Sequence, residues 1–515
     1  MKRRTLLAAS GLALAGCGKP GATIVGWAGG WVGAAHERGH RLRSGSLPAA
    51  AVQRRAAVLI VGAGIAGLAA ARGLNRAGVD DVQILELEDQ PGGNSRGHVI
   101  AGQPCPLGAH YLPVPGPAAR EVGEWLSEIG LLRHEFGRTV ADERHLCHSP
   151  QERLFIDGAW VDGLLPPAEP GSTTLAEYRR FAATVTAAQK IGFAIPSARA
   201  PWTAAHAALD AGTFADWLAG EGLVDQKLLW YLDYCCRDDY GAGIGAVSAW
   251  AGLHYFASRH GFHAPGDEAE REPVFTWPEG NAWLVERLAA PFADRLHAGR
   301  TVLRVSEGRH GVQLLAWDEK ASRAEAWTAD RVVLALPLFA AVRVLENPPD
   351  ALRSAAAGQP HAPWLVANLH LASAPLARPG VPPSWDNVVY GGGLGYVDAT
   401  HQRLNPAPGP SVLTAYQALP AARRGALLSD DWASWAGRVV DDLAAVHPDL
   451  PHKVTRVDLM RYGHAMAVPV PGQRGSAALA ALRAQRGRVR FAHADLAGYS
   501  VFEEAFTLGC EAAGL

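Results

Sequence analysis

The stretch AVLIVGAGIAGLAAARGLNRAGVDDVQILELEDQPGG, residues 57–93, decides the fold of this chain. It begins with a short apolar run whose β-branched content is typical of a buried parallel strand. Gly62, Gly64 and Gly67 follow, and then an alanine-rich segment with helical periodicity. A second apolar run, Val82 to Leu85, ends on Glu86. The stretch therefore predicts a strand, a helix and a second parallel strand.

The glycines of this motif each have a physical reason. Gly62 permits the tight turn, Gly64 lets the backbone approach a pyrophosphate, and Gly67 lets the helix pack closely on the strand. The amino end of the helix offers free N–H groups and a positive dipole to the phosphates. Glu86 lies at the distance where a carboxylate accepts hydrogen bonds from ribose hydroxyls. We therefore predict a dinucleotide-binding unit, but Glu86 alone does not separate NAD from FAD, since both contain this ribose.

The residues after the second strand separate the two cofactors. The run ILELEDQPGGNSRG, residues 84–97, resembles the double-glycine signature of the flavin-containing amine oxidases, the phytoene desaturases and the protoporphyrinogen oxidases. The resemblance implies that FAD is the cofactor and that Gly92 and Gly93 pass beside its pyrophosphate. In that family an arginine next to the double glycine supports it. Asn94 occupies this position here, which leaves Arg96 as the candidate.

Three later segments extend the resemblance. Leu107-Gly108-Ala109-His110-Tyr111 resembles the family segment that runs past the flavin ring. This implies that Gly108 contacts the cofactor and that His110 and Tyr111 are candidate catalytic residues at the flavin or substrate side. The alternative is that His110 is a histidine satisfied within a turn. Val302 opens a segment that resembles the strand whose backbone contacts the adenine.

The carboxy-terminal run RVRFAHADLAGYSVFEEAFTLGCEAAGL, residues 488–515, closes the resemblance. It implies that Asp495 lies near the flavin ribityl chain. It also implies that Glu504 and Ala505 open a helix whose amino end faces the flavin pyrimidine. Such a helix end stabilises negative charge that develops on the ring as a hydride arrives. The alternative is an ordinary amphipathic terminal helix.

The first residues have the pattern of an export signal. MKRRTLLAASGLALAGC, residues 1–17, has a basic start and an apolar stretch too short to span a bilayer comfortably. Arg3-Arg4 resembles a twin-arginine signal, and Cys17 ends a sequence that resembles a bacterial lipobox. We therefore expect a bacterial protein on the periplasmic face of the membrane, anchored through a lipid on Cys17. The alternative is a cytoplasmic protein with a chance basic and apolar start. Residues 18–55 are predicted to be a tether.

Composition limits the remaining possibilities. The chain has 515 residues and 48% hydrophobic content, enough for a large core and two domains. Its formal net charge of -2 gives no electrostatic reason to expect nucleic acid binding. The six cysteines lack the spacing of metal ligands, so no metal site is predicted.

The predicted fold class is α/β, with a discontinuous Rossmann-like FAD domain and an inserted α+β substrate domain. We assign residues 56–117, 272–340 and 485–515 to the FAD domain, and residues 118–271 and 341–484 to the substrate domain. Within the substrate domain, the pattern predicts a hairpin with a turn at Asp157-Gly158 and helices over Phe214 to Gly220 and Val224 to Cys236. The uncharged run Gly241 to Ser258 is predicted to be buried rather than to span a membrane.

The resemblance implies an FAD-dependent oxidoreductase that oxidises an amine, possibly a polyamine, by hydride transfer to flavin N5. The alternatives are an FAD-dependent desaturase of a lipophilic substrate and a non-catalytic binding protein on the same fold. A buried ammonium needs a counter-charge or aromatic faces. Asp238 and Asp239 are candidate anchors for it, and Tyr240, Trp250 and Tyr255 are candidate channel residues. The alternative is that these acids cap a helix or pair with Arg237, and that the aromatic residues belong to the core.

The electron acceptor of the reduced flavin is predicted from a lysine that this sequence lacks. In this family a lysine typically holds a water against flavin N5 and helps oxygen to react. The corresponding position falls near Val366, and no lysine lies between Lys320 and Lys453. We therefore expect slow reaction with oxygen and a quinone or a carrier protein as the electron acceptor.

Overall fold

The computed structural model describes residues 26–43, 45, 47–267, 272–404 and 408–514. Its strands are β1 (Ala28–Trp31), β2 (Ala50–Val61), β3 (Val82–Leu85), β4 (Gly97–Ile100), β5 (Gln103–Pro106), β6 (Tyr111–Pro113), β7 (Leu132–Glu135), β8 (Arg138–Ala141), β9 (Glu152–Ile156), β10 (Ala159–Asp162), β11 (Val274–Thr276), β12 (Leu296–His297), β13 (Arg300–Glu307), β14 (Val312–Asp318), β15 (Arg323–Leu334), β16 (His361–Leu371), β17 (Asp386–Val389), β18 (Tyr396–Asp398), β19 (Ser411–Ala418), β20 (Val454–Ala467) and β21 (Val489–Phe491).

Its helices are α1 (His36–His40), α2 (Ile65–Arg76), α3 (Arg120–Glu128), α4 (Thr173–Gln189), α5 (Ala204–Asp210), α6 (Phe214–Gly220), α7 (Gln226–Tyr240), α8 (Ala249–Ala257), α9 (Ala282–Ala289), α10 (Leu338–Val344), α11 (Asp350–Gly358), α12 (Arg424–Ser429), α13 (Trp432–Ala444), α14 (Leu450–Lys453), α15 (Ala477–Ala484) and α16 (Phe502–Ala512).

A seven-stranded sheet carries the glycine-rich motif. Its order is β12-β3-β2-β15-β14-β13, and β21 also pairs with β15. The central strands β3, β2 and β15 run parallel, whereas β13, β14 and β15 form antiparallel pairs. The last four residues of β2 are all buried, as expected of a parallel strand covered on both faces. Helices α2 and α16 pack against each other, so the helix of the glycine-rich motif and the last described helix meet beside this sheet.

The second large sheet has eight strands, in the order β1-β20-β16-β19-β18-β17-β9-β10. Three adjacent strands of this sheet reach the segment that joins β5 to β6. The Asn368 amide donates to the carbonyl of Pro106 (3.0 Å), the Tyr416 hydroxyl to that of Gly108 (3.0 Å) and the Tyr462 hydroxyl to that of Leu107 (2.9 Å). The eight-stranded sheet is therefore fixed to the segment that leads into His110.

The local predictions within the substrate domain have different outcomes. The hairpin with Asp157-Gly158 as its turn is confirmed, and so is the helix Phe214–Gly220, which the Thr213 side chain caps. The helix predicted to end at Cys236 instead continues to Tyr240. It ends there because Gly241 takes the left-handed conformation (φ 71°), which favours glycine. The predicted burial of the uncharged run is confirmed for α8. No helix in the described part of the chain is long and apolar enough to cross a membrane.

The amino-terminal region differs from its prediction. Residues 28–31 form a strand of the eight-stranded sheet, and β2 starts at Ala50 rather than near residue 57. The tether predicted over residues 18–55 is therefore wrong for much of residues 26–55, because their backbone groups pair with both sheets. Residues 1–25, including Cys17 and Arg3-Arg4, lie outside the described residues, so the export signal and the lipid anchor stay predictions.

Candidate active site

The glycine turn after β2 brings a helix unusually close to a strand. Gly62 has a φ of +101°, and a Cβ there would lie 2.4 Å from the Ala335 carbonyl oxygen. A Cβ on Gly67 would lie 1.9 Å from the carbonyl oxygen of Gly62. Any side chain at either position would collide with backbone atoms. The turn therefore depends on glycine at both positions.

Gly64 and Gly93 face each other across the amino end of α2. A Cβ on Gly64 would meet nothing nearer than the Gly93 Cα at 4.0 Å, and a Cβ on Gly93 would lie 3.4 Å from the Gly64 Cα. Gly64 caps α2 without a side chain, so the first N–H groups of the helix have no side-chain acceptor. This glycine-lined helix end suits a pyrophosphate.

Glu86 stands at the end of β3 beside the turn. Its carboxylate is 8% exposed and accepts the backbone N–H groups of Ala63 (2.6 Å) and Glu88 (2.9 Å). Burial raises the pKa of Glu86, and these hydrogen bonds act against that rise. The carboxylate is therefore fixed at the carboxyl end of the parallel strands, where ligands bind in open α/β sheets.

Arg96 is the side chain that holds the double-glycine loop. Its Nε donates to the Gly93 carbonyl (3.0 Å), and its Nη1 donates to the Gly33 carbonyl (2.7 Å). Asn94 turns the other way, and its Nδ2 donates to the carbonyl of Ala465 (2.6 Å). A Cβ on Gly108 would lie 2.1 Å from the Asn94 carbonyl oxygen, so the two predicted cofactor segments touch here.

Asp495 offers a direct test of whether the residues fit FAD. Its Oδ2 accepts from the Leu338 N–H (2.9 Å) and lies 3.0 Å from the His361 Nε2. Its buried Oδ1 lies 3.1 Å from the His493 Nδ1 and has no other neighbouring donor among the described residues. Burial raises the pKa of Asp495, but the imidazoles of His493 and His361 outweigh burial and hold the pKa well below the usual range. A buried carboxylate oxygen with acceptor capacity left over fits a ribityl hydroxyl.

The residues predicted at the terminal helix have different surroundings. The Glu504 Oε1 accepts from the Tyr499 hydroxyl (2.6 Å) and from the backbone N–H of Ser197 (2.5 Å). One oxygen of this carboxylate is therefore held by one residue of each predicted domain. Glu503, which with Glu504 and Ala505 is predicted to open the helix, is buried, and burial raises its pKa to about 7.

Val302 lies in β13 at a backbone irregularity. It is 6% exposed and opposite Ala316, and the register shifts between Val302 and Arg304. Such a bulge leaves one residue outside the ladder of hydrogen bonds. The backbone near Val302 is thus the part of this strand with capacity to bind a ligand.

An aromatic group surrounds the predicted catalytic residues. The His110 ring stacks on Tyr416, with centroids 4.4 Å apart, and the rings of Tyr111 and Trp385 lie within 5.5 Å of it. Burial lowers the pKa of His110 to about 4, so the imidazole is neutral at pH 7. His110 therefore presents a neutral ring beside three aromatic neighbours.

Two carboxylates act electrostatically on this aromatic group. Asp238 lies in the last turn of α7, and burial together with the charge of Asp239 raises its pKa to about 7. Burial and the charge of Asp238 raise the pKa of Asp386, on β17, well above its usual range. Both carboxylates act electrostatically on Tyr416. We call His110, Tyr111, Trp385, Tyr416, Asp238 and Asp386 the acidic-aromatic cluster.

Asp386 was missed at the level of sequence. It is opposite Glu152 of β9 in a parallel register, so these two acidic side chains share one face of the sheet. Nothing in the sequence signals this pairing, because the strands are more than 200 residues apart and short. Only the strand register brings the acids together.

The other predicted substrate residues have structural surroundings. Both oxygens of Asp239 accept from Nη2 of Arg259 (3.1 Å), which neutralises the carboxylate. The Tyr240 hydroxyl donates to the Ala251 carbonyl, and Trp250 is 3% exposed in the core. Tyr255, half-buried, packs under the guanidinium of Arg259. The pairing with Arg259 favours the structural alternative for Asp239, although the partner is Arg259 rather than Arg237.

The position predicted for the family lysine is a core position. Val366 is 1% exposed in the middle of β16, between Tyr416 and Met460 of the neighbouring strands. The lysines within the described residues lie elsewhere, at positions 190, 227, 320 and 453. Two of them are engaged far from the cluster, with the Pro167 carbonyl and with Asp449. The described residues also contain no group of His, Cys, Asp or Glu that could hold a metal ion.

Comparisons with known proteins agree with this geometry. The model of the family described as flavin containing amine oxidoreductase matches residues 65–515. An L-amino acid dehydrogenase of Synechocystis sp. is 25% identical over 297 residues, which are 56% of this chain and 58% of the relative. The alignment thus spans less than two thirds of that relative.

Solved structures share the architecture. Putrescine oxidase bound to putrescine superposes with a TM-score of 0.67 at 19% identity, covering 90% of this chain and 99% of that one. Cyclohexylamine oxidase from Brevibacterium oxydans gives 0.64 at 18% identity, covering 89% and 98%. At these identities the likeness establishes the fold, and the predicted mixed α/β class is confirmed.

Proposed function

The chain belongs to the flavin-containing amine oxidoreductase family, whose cofactor is FAD, and on this premise we propose that it oxidises a cationic amine. The observation that carries the proposal is the aromatic group around His110, formed by Tyr111, Trp385 and Tyr416, and two carboxylates, Asp238 and Asp386, act on Tyr416 electrostatically. When bound, FAD supplies the acceptor for a hydride from the carbon next to the amine nitrogen.

The acidic-aromatic cluster is adapted to positive charge. Two like-charged carboxylates near each other in a half-buried site are costly unless a cation accompanies them. Arg259 is not available as the counter-charge of Asp238 and Asp386, because its Nη2 donates to the two carboxylate oxygens of Asp239. A substrate ammonium would restore the charged forms of Asp238 and Asp386. The rings of Tyr111, Trp385 and Tyr416 would present their faces to the cation.

The neutral state of His110 favours the same substrate. A protonated imidazole at this position would repel an ammonium, and burial prevents that protonation near pH 7. The stack of His110 on Tyr416 also fixes the ring, since the Tyr416 hydroxyl is bound to the Gly108 carbonyl. His110 and Tyr111 would therefore orient the substrate carbon and exclude water rather than exchange protons.

The electron acceptor is a second part of the proposal. We propose that electrons leave to a quinone or a carrier protein rather than rapidly to oxygen. The support is that Val366 occupies the position expected for the family lysine and that the described lysines lie elsewhere. A relative of this chain is itself named a dehydrogenase.

The cellular location remains part of the proposal as well. We propose that the protein is exported through a twin-arginine signal and held at the membrane by a lipid on Cys17. Residues 1–17 support this by their sequence alone. A route that carries folded proteins suits a chain that binds FAD before export.

Anaerobic flavin reduction tests the proposed reaction. The purified protein is mixed with putrescine, cyclohexylamine, an L-amino acid and a long unsaturated fatty acid, and the visible flavin absorption is followed. We expect bleaching by one or more amines. Bleaching by the lipophilic compound alone would overturn the proposal and favour the desaturase. Absence of bound flavin after purification would favour the non-catalytic binding protein.

A further inference from the structure

We propose that residues 26–43, which precede the region matched to the family, form a clasp that closes the adenosine end of the FAD site. We call this segment the clasp. The inference concerns retention of the cofactor and does not depend on the substrate. It rests on four successive sets of contacts, of which the second and third lie on residues that flank the predicted cofactor positions.

The first contacts fix the clasp to the substrate domain. Strand β1 pairs in parallel with β20, from Ala28 opposite Arg456 to Trp31 opposite Leu459. The N–H of Val32 extends the pairing by donating to the Leu459 carbonyl (2.8 Å), and the Arg461 guanidinium lies 4.4 Å from the Trp31 ring centroid. This end of the clasp is therefore part of the eight-stranded sheet.

The second contacts join the clasp to the double-glycine loop. Gly33 has a φ of +83°, and a Cβ there would lie 2.7 Å from the Met460 Sδ and 2.9 Å from the Leu107 Cδ1. Its carbonyl accepts from Arg96, which also holds the carbonyl of Gly93. One guanidinium thus binds both the clasp and the loop predicted to pass beside the pyrophosphate.

The third contacts lie directly after Glu86. The N–H of Ala35 donates to the Glu88 carboxylate (3.1 Å), and Arg38 donates to the Leu87 carbonyl (2.9 Å) and to both oxygens of Asp89 (2.9 and 3.1 Å). These three acceptors are the next residues after the carboxylate predicted to bind the adenosine ribose.

The last residues of the clasp reach the hairpin of β14 and β15. The Arg41 Nη2 lies 2.8 Å from the Glu319 carboxylate, and its guanidinium lies over the Trp317 ring. The clasp thus extends from the edge of one sheet to a hairpin of the other. It passes the pyrophosphate side and then the ribose side of the cofactor site.

This arrangement has a kinetic consequence. A ligand held between the glycine turn and Glu86 is covered by a segment tied to both domains. The polar contacts of the clasp are partly exposed, as with Asp89, whose side chain is 77% exposed, so each is individually weak. Such a segment can open locally without unfolding of the core. The adenosine half of FAD can then enter or leave only when the clasp has lifted.

Cofactor release measures the clasp directly. Holoenzyme is diluted into buffer, and the rise of free flavin fluorescence gives the rate of FAD dissociation; the rate of FAD uptake by the stripped protein is measured in parallel. Gly33→Val introduces a side chain where Met460 and Leu107 leave no space, and Arg38→Gln removes the contacts with Asp89. We expect FAD to dissociate about tenfold faster from Gly33→Val and several-fold faster from Arg38→Gln, with faster uptake in both.

Two matched control variants distinguish the loss of clasp contacts from a general destabilisation of the protein. Gly30→Ala lies in the clasp three residues before Gly33, where a Cβ meets nothing within 4 Å, and Arg55→Gln, on β2, removes an exposed ion pair with Asp330 of β15. Both should release FAD at the wild-type rate. Unchanged release from Gly33→Val and Arg38→Gln overturns the proposal, and equal acceleration in the controls overturns it too. If Gly33→Val does not fold, Arg38→Gln against Arg55→Gln decides the question.

Discussion

Replacing Asp238 by Asn should weaken the binding of cationic amines and, above pH 7, stabilise the folded protein. Asp238 is half-buried in the last turn of α7, and burial followed by the charge of Asp239 raises its pKa from 3.8 to about 7. Between these values the unfolded chain is ionised while the folded protein keeps the proton. The free energy of unfolding therefore falls as the pH rises through this window.

The size of the effect follows from the same pKa values. At 1.36 kcal/mol per pH unit, the difference between 3.8 and about 7 corresponds to about 4 kcal/mol at pH 8. Because Asp238 is partly accessible to solvent, screening reduces this to roughly 2 kcal/mol. Asn cannot ionise, so the variant should gain this stability at pH 8 and very little at pH 4. Binding should change in the opposite sense, since a hydrogen bond to a charged group contributes roughly 2–3 kcal/mol.

The assay compares thermal unfolding at pH 4, 6 and 8 with steady-state kinetics on a cationic amine and a neutral analogue. Asp238→Asn should raise KM for the cation by about 30- to 100-fold. Asp239→Asn is the matched control. It strips Arg259 of its partner and should destabilise the protein by about 3–5 kcal/mol. A destabilised Asp238→Asn variant with unchanged KM would refute the assignment of Asp238 as an anchor.

Four further predictions concern the cofactor, the acceptor, the lipid anchor and the export signal. Gly67→Ala places a Cβ 1.9 Å from the Gly62 carbonyl oxygen, so the variant should purify without FAD, which the absorption spectrum reports; a fully loaded variant would contradict this. Reduced enzyme should reoxidise at least tenfold faster with a quinone than in air, and equal stopped-flow rates would rule out the proposed acceptor. Cys17→Ala should abolish lipid labelling, and Arg3→Lys with Arg4→Lys should leave flavin-loaded precursor in the cytoplasm. Labelling or export that persists would exclude the corresponding signal.

The glycine turn and its strands and helix could be predicted because they belong to one βαβ unit of neighbouring residues, and the capped helix at Phe214–Gly220 is likewise determined by local residues. Asp495, more than 400 residues further along the chain, is assigned to the cofactor site only through the family resemblance. The substrate half could not be predicted in the same way. Asp386 meets Glu152 through strand register, and Glu504 accepts from Ser197 across 307 residues.

The amino-terminal error has a related cause. The strand at residues 28–31 has only four residues, two of them glycine, so it shows no periodicity that would indicate a strand. Its partner β20 lies more than 400 residues away in the sequence. The error at α7 is different. The helix was predicted to end at Cys236, before the charged residues, but it continues through Asp239, which is buried and paired with Arg259 from beyond the next helix. Long-range ion pairs of this kind leave no local signal.

The hydrogen bonds from Asn368, Tyr416 and Tyr462 to three consecutive carbonyls have a consequence for how this fold can diversify. They set the spacing between the substrate sheet and the segment beside His110 through backbone acceptors, which are present whatever side chains the segment carries. Helices α4 to α8 take no part in these bonds. Substitutions in those helices can therefore change which molecules are admitted, while the reacting distance stays constant.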